Sequence, residues 1–182
     1  MDDWKLDFKH GMLLIWPQDG VRNMVNKLRS KYDPESQRTC EAHITLTQPF
    51  LEEPNDESWE LIESVLRKAE PFDIHYGPIE TFGDSPTLKF DIEPKDEILE
   101  IRNGLHDTGL FNLTLPFTEG FIPHMTISES GISTTEDARK VADELNSSIN
   151  KEVFQCSSIV YTKPNDSFRF EVVKTLQLPR RV

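Results

Sequence analysis

Two tetrapeptides in this chain carry one pattern, His43-Ile44-Thr45-Leu46 and His124-Met125-Thr126-Ile127, each reading His, apolar, Thr, apolar, 81 residues apart. In an extended strand successive side chains alternate between faces, so each His shares a face with the Thr two residues on, and the apolar pair faces the other way. Each tetrapeptide therefore offers an imidazole and a hydroxyl to one surface and anchors itself in a core through the other. A single match is weak, because ordinary strands carry His and Thr on their solvent faces. A second copy in matching surroundings constrains the fold far more.

The surroundings do match. The apolar run Gly11 to Pro17 reads as a buried strand. A helix follows on Val21, Met24, Val25, Leu28 and Tyr32, with Asp19 placed to cap it and Pro34 to stop it. The first motif lies in a strand from Ala42 to Phe50. Asn55, Asp56 and Glu57 open a second helix with Leu61, Ile62, Val65, Leu66 and Ala69 inside, closed by Pro71. Period-two alternation over Phe72 to Tyr76 and Thr87 to Ile92, around the turn Gly83 to Pro86, predicts a hairpin. A third helix runs from Lys95 towards Gly109, and a loop rich in Thr, Pro and Gly leads to Phe121 and the second motif. Ser133 and Glu136 have the spacing of a capping box for a fourth helix on Ala138, Val141, Ala142 and Leu145. Phe154 to Val160 and Phe168 to Val173 predict a closing strand pair around Lys163 to Asp166.

Strand, helix, His43 strand, helix, hairpin is thus echoed by strand, helix, His124 strand, helix, hairpin. The intervals agree as well: His43 to Phe72 is 29 residues and His124 to Phe154 is 30. Such a repeat implies a single domain over residues 1–182 made of two lobes, one holding motif 43–46 and the other 124–127. A pseudo-two-fold axis would bring the motif strands to one groove.

Composition narrows the partners. With 182 residues, a net charge of −12 and no clustered basic stretch, the chain opposes extended nucleic acid, whose phosphate backbone is held by grouped Lys and Arg. No apolar run is long enough to span a bilayer, and Met1-Asp2-Asp3-Trp4-Lys5 lacks the layout of a secretory signal, so a cytoplasmic protein without membrane contact is expected. Cys40 and Cys156 lack metal-ligand spacing and are expected as free thiols, with a redox link between them left open.

Histidine's ordinary pKa, about 6.5, lets it give or take a proton near neutrality. Two imidazoles flanking one phosphorus can share a proton, one deprotonating the attacking group while the other protonates the leaving oxygen. The Thr45 and Thr126 hydroxyls would hold the non-bridging oxygens. That chemistry calls for no metal and no cofactor, and the chain has no His-Glu-x-x-His helix, phosphate-cradling Gly-rich loop or Gly-x-Ser-x-Gly elbow.

On these two motifs and the repeated element order, the chain resembles the two-histidine phosphoesterases, the superfamily that includes LigT-like RNA ligases and cyclic nucleotide phosphodiesterases. The resemblance implies an α+β, bilobal fold: two pseudo-two-fold-related lobes of antiparallel sheet with outer helices and a central cleft. It implies metal-independent opening of 2′,3′-cyclic phosphates to 2′-phosphates, with His43 and His124 as acid/base pair and Thr45 and Thr126 as phosphate holders. Alternatives are a nucleotide or RNA-end binding module without turnover, and a 2′,5′-RNA ligase or 2′,5′-phosphodiesterase. LigT-like proteins often carry an aromatic where this chain has Gln48 and a basic residue where it has Glu129. These departures favour a mononucleotide, a short RNA end or an ADP-ribose cyclic phosphate as the partner of a monomeric protein.

Phe82 and Tyr161 stand at or near the ends of comparable strands and are candidates to stack on a base, core packing being the competing role. Trp16 and Phe50 fit burial better than groove closure. His10, His75 and His106 lack the following Thr and are expected on the surface or hydrogen-bonded. Arg102, Lys163 and Arg169 are expected to be solvated, contact with a ligand's second phosphate being the alternative.

Overall fold

The computed structural model describes residues 3–180; Met1 and Asp2, part of the leader reading above, lie outside the described residues. Among the described residues eight strands form one antiparallel sheet: β1 (Met12–Ile15), β2 (Ile44–Thr45), β3 (Phe72–Thr81), β4 (Leu88–Glu93), β5 (His124–Ser128), β6 (Glu152–Cys156), β7 (Ser158–Pro164) and β8 (Phe170–Gln177). Their order across the sheet is β6-β3-β4-β5-β2-β1-β7-β8. The helices among the described residues are α1 (Asp3–Asp7), α2 (Asp19–Tyr32), α3 (Pro34–Thr39), α4 (Asp56–Leu66), α5 (Lys95–His106) and α6 (Thr135–Asn146).

The order is symmetric about the β2/β5 junction, where Ile44 pairs with Met125. The two motif strands are therefore nearest neighbours at the centre of the molecule. Their apolar pairs act as the anchors expected of them: Ile44, Leu46, Met125 and Ile127 are all fully buried in the main core. This is the bilobal α+β architecture that the repeat implied.

The lobes exchange strands. β3 follows the first motif in sequence yet pairs with β4 beside the second, while β7 follows the second motif and pairs with β1 beside the first. Single-residue linkage at Ser157 joins β6, at one edge of the sheet, to β7, next to the other. Only a strongly curled sheet brings those positions together. The strand expected from Phe154 to Val160 is consequently two strands in different lobes.

Local chemistry shifts several boundaries. Pro34 stops the first helix as expected, since α2 ends at Tyr32, and it also opens a helix that was not expected: it is the first residue of α3, whose N-cap Asp33 accepts from the Ser36 amide, consistent with proline's missing donor being harmless in a first turn. Asp19 lies in the first turn of α2 behind an N-cap Gln18 that makes no side-chain cap. The capping residue of α6 is Thr134, accepting from the Asp137 amide, one position on from the Ser133/Glu136 pair. Asn55 and Ser58 form a full capping box on α4. Leu61, expected inside, is exposed.

Candidate active site

On the face of β2 and β5 opposite the core lie His43, Thr45, His124 and Thr126. From the Ile44/Met125 pair, antiparallel alignment sets His43 across from Thr126 and Thr45 across from His124. The structure thus interleaves the two motifs into one patch, each imidazole beside the other motif's hydroxyl.

The two histidines are held alike. Nδ1 of His43 lies 2.6 Å from the carbonyl oxygen of Glu41, and Nδ1 of His124 lies 2.7 Å from that of Ile122, in each case two residues back. A carbonyl only accepts, so each Nδ1 carries the proton and each neutral ring presents a bare Nε2. The Cys40 thiol adds a contact at 3.3 Å to the same nitrogen of His43. Among the described residues, neither Thr45 nor Thr126 uses its hydroxyl in a protein hydrogen bond, which leaves both free for a ligand.

The electrostatics differ between the two sides. Burial pushes His43 down to about 4, the Arg29 guanidinium adds to this, and His124 adds a further repulsion, against the Glu41 carbonyl that favours the charged ring. His124 is lowered by burial and by Lys89, against the Ile122 carbonyl. Lys89 is ion-paired with Glu80 at 2.6 Å and Asp91 at 3.8 Å. Arg29, which is 3% exposed, bonds only to carbonyl oxygens: Nη1 donates to Thr126 at 2.9 Å and Nη2 to Cys40 at 3.0 Å. Helix α2 packs on β5, so this guanidinium joins the second motif's backbone to Cys40, three residues ahead of the first motif.

Arg102 on α5 makes the reciprocal tie. It is 2% exposed, donates to the Leu46 carbonyl at 2.8 Å and lies 4.0 Å from the centre of the Phe121 ring. The expectation that Arg102 is solvated is therefore corrected: the carbonyl at the end of the first motif requires a buried donor, and α5 supplies it. Sequence reasoning also missed Arg29; its only signal was a cation on the inner face of an amphipathic helix, beside Val25 and Leu28.

Phe82 meets His124 edge-on, ring centres 4.7 Å apart, and carries the Lys89 ammonium 4.8 Å from its own centre. Tyr161 does not join them. It sits on the core face of β7, 2% exposed, packed on Phe50 and Trp59 with its hydroxyl donating to the His10 carbonyl, so its candidacy for base stacking is corrected. Strand parity decides this, since Tyr161 pairs with the core residue Leu13. Phe50 is core. Gln48 ties the loop before the second motif through Pro116 and Thr118. His106 accepts from the Gln48 amide. Lys163 pairs with Glu53 and Arg169 with Glu41. Cys40 and Cys156 are free, buried thiols. Among the described residues, no group of three or more His, Cys, Asp or Glu is placed to hold a metal ion, and no helix is long and apolar enough to cross a membrane.

A curled antiparallel sheet with paired motifs at its centre defines the two-histidine phosphoesterase class. The profile of the 2′-5′ RNA ligase superfamily matches residues 17–167, and the chain belongs to that superfamily. A protein of Bacillus cereus strain B4264, provisionally named a phosphoesterase, is 32% identical over 131 residues, 69% of this chain and 72% of the relative. Its counterpart in strain G9842 is 33% identical over the same shares. Escherichia coli LigT, solved with 3′-AMP, aligns with a TM-score of 0.60 at 15% identity over 94% of this chain and 99% of LigT. A Thermus thermophilus protein aligns at 0.57 and 13% identity over 92% and 96%.

Proposed function

We propose that this phosphoesterase-family protein opens 2′,3′-cyclic phosphates of nucleotides or short RNA ends without a metal, leaving 2′-phosphates, with His43 and His124 as its acid/base pair. The observation that carries this reading is the mirrored pair of imidazoles, each with Nδ1–H pinned to the carbonyl two residues back and Nε2 bare. In the reaction one Nε2 takes a proton from water as the water oxygen bonds to phosphorus. The bond from phosphorus to O3′ breaks, and O3′ receives the proton held by the other ring. Thr45 and Thr126 donate to the non-bridging oxygens as negative charge builds there. That LigT was solved with 3′-AMP and with NADP+ supports a small nucleotide as substrate.

The test is phosphorus NMR of the four 2′,3′-cyclic nucleotides incubated with the protein in chelator. Conversion to 2′-phosphates is expected, and His43→Ala or His124→Ala should each lower the rate by about 10²–10⁴-fold. The superfamily's description motivates a second reading, joining or cleavage of 2′,5′ linkages by the same groups, and 2′,5′-linked dinucleotides form the parallel arm. Folded protein that turns over neither substrate class sinks both readings.

A further inference from the structure

Beside His43 the surface deepens into a cavity of about 320 Å³, and His43 forms part of its wall. Its apolar side is built from Trp4, Phe8, Phe168 and Phe170, all outside the span 17–167 matched by the superfamily. These rings close an edge-to-face circuit: Trp4 to Phe8 at 6.0 Å, Phe8 to Phe170 at 6.1 Å, Phe170 to Phe168 at 5.6 Å and Phe168 to Trp4 at 5.3 Å. Phe168 holds its place with φ at 57°, a left-handed backbone that side chains rarely adopt.

The polar end of the cavity carries Arg29, Glu35, Ser36, Glu129 and Ser130. The Glu129 and Ser130 amides both donate to one carboxylate oxygen of the buried Asp33, which fixes this wall against α3. Nε of Arg29 is the only buried side-chain nitrogen or oxygen among the described residues that lacks a partner. A planar, neutral ligand with N–H groups on one edge suits such a space: the rings offer it a face, and the two carboxylates offer acceptors for its edge. The volume stands at the small end for ligand pockets, enough for one nucleoside and not for a run of chain.

We propose that this cavity seats the nucleobase of a mononucleoside phosphate, and that it favours bases bearing an exocyclic amino group over uracil. The proposal rests on the phosphodiesterase reading only for where the phosphate lies. Calorimetric titration with guanosine, adenosine, cytidine and uridine 2′-monophosphates, against inorganic phosphate, tests it without turnover. Nucleotides should bind about tenfold tighter than phosphate or better, uridine least so. Phe168→Ala should remove that advantage and leave phosphate affinity unchanged. Glu129→Gln, which keeps the shape of the wall, should narrow the gap between uridine and the amino-bearing nucleotides. Nucleotides no tighter than phosphate, or Phe168→Ala binding them as the parent does, would overturn the pocket. Base-dependent binding without hydrolysis defeats the catalytic reading and sustains the pocket; hydrolysis without base dependence does the reverse.

Discussion

Two imidazoles held in the neutral form set the behaviour of the individual residues. Both His43 and His124 lie below the ordinary histidine value, His43 at about 4. Catalysis by a shared proton needs the pair singly protonated, so kcat/KM should peak on the acid side of pH 6.5, with its acid limb near 4 and both limbs belonging to the coupled pair. Arg29 disfavours the His43 imidazolium, so Arg29→Met should raise that limb towards 6.5; a limb that stays in place would remove Arg29 from the site's electrostatics. The same change removes a buried donor from each of the Thr126 and Cys40 carbonyls, at a cost of about 1–3 kcal/mol in denaturant titration.

Among the elements, the junction of α2, α3 and the turn after β5 fixes how the second motif meets the first. Gly131 passes so close to the turn at Tyr32 that a Cβ there would stand 1.8 Å from the Tyr32 carbonyl oxygen. Gly131→Ala therefore must displace that turn, loosening the Asp33 contacts to Glu129 and Ser130. It should lower thermal stability and weaken binding at the Glu129 wall together. A substitution without effect on either would show the turn to be yielding. Helix and strand identities here were largely legible from apolar period and capping chemistry, because those signals are local. Pro34 ends α2 as its sequence position implies, but the short helix it opens was missed, because proline stops one helix and starts another equally well and the Asp33 cap is what makes it do both.

For the molecule as a whole, buried neutral histidines couple folding to pH. His43 and His106 are held at about 4, against about 6.5 when unfolded. Below pH 6.5 the unfolded chain binds protons that the folded chain refuses. Their contribution is therefore full above about 6.5 and lost as pH falls towards 4, at up to about 1.4 kcal/mol per pH unit for each group. Thermal melts between pH 7 and 4 should show that slope, and His106→Gln, which keeps an acceptor for the Gln48 amide, should make it shallower. The repeated motif, its face alternation and the echoed element order were enough for the sequence alone to point to an α+β fold whose two motif strands meet with their apolar residues in the core, since periodicity is written along the chain. The exchange of β3 and β7 between the lobes, the burial of Arg29 and Arg102, the removal of Tyr161 to the core and the aromatic cavity on Trp4, Phe8, Phe168 and Phe170 were decided only by the tertiary structure. Each depends on which elements become neighbours in the folded, curled sheet, and contacts such as Arg102 to Leu46, 56 positions apart, or Tyr161 to His10, 151 apart, leave no periodic trace in the sequence.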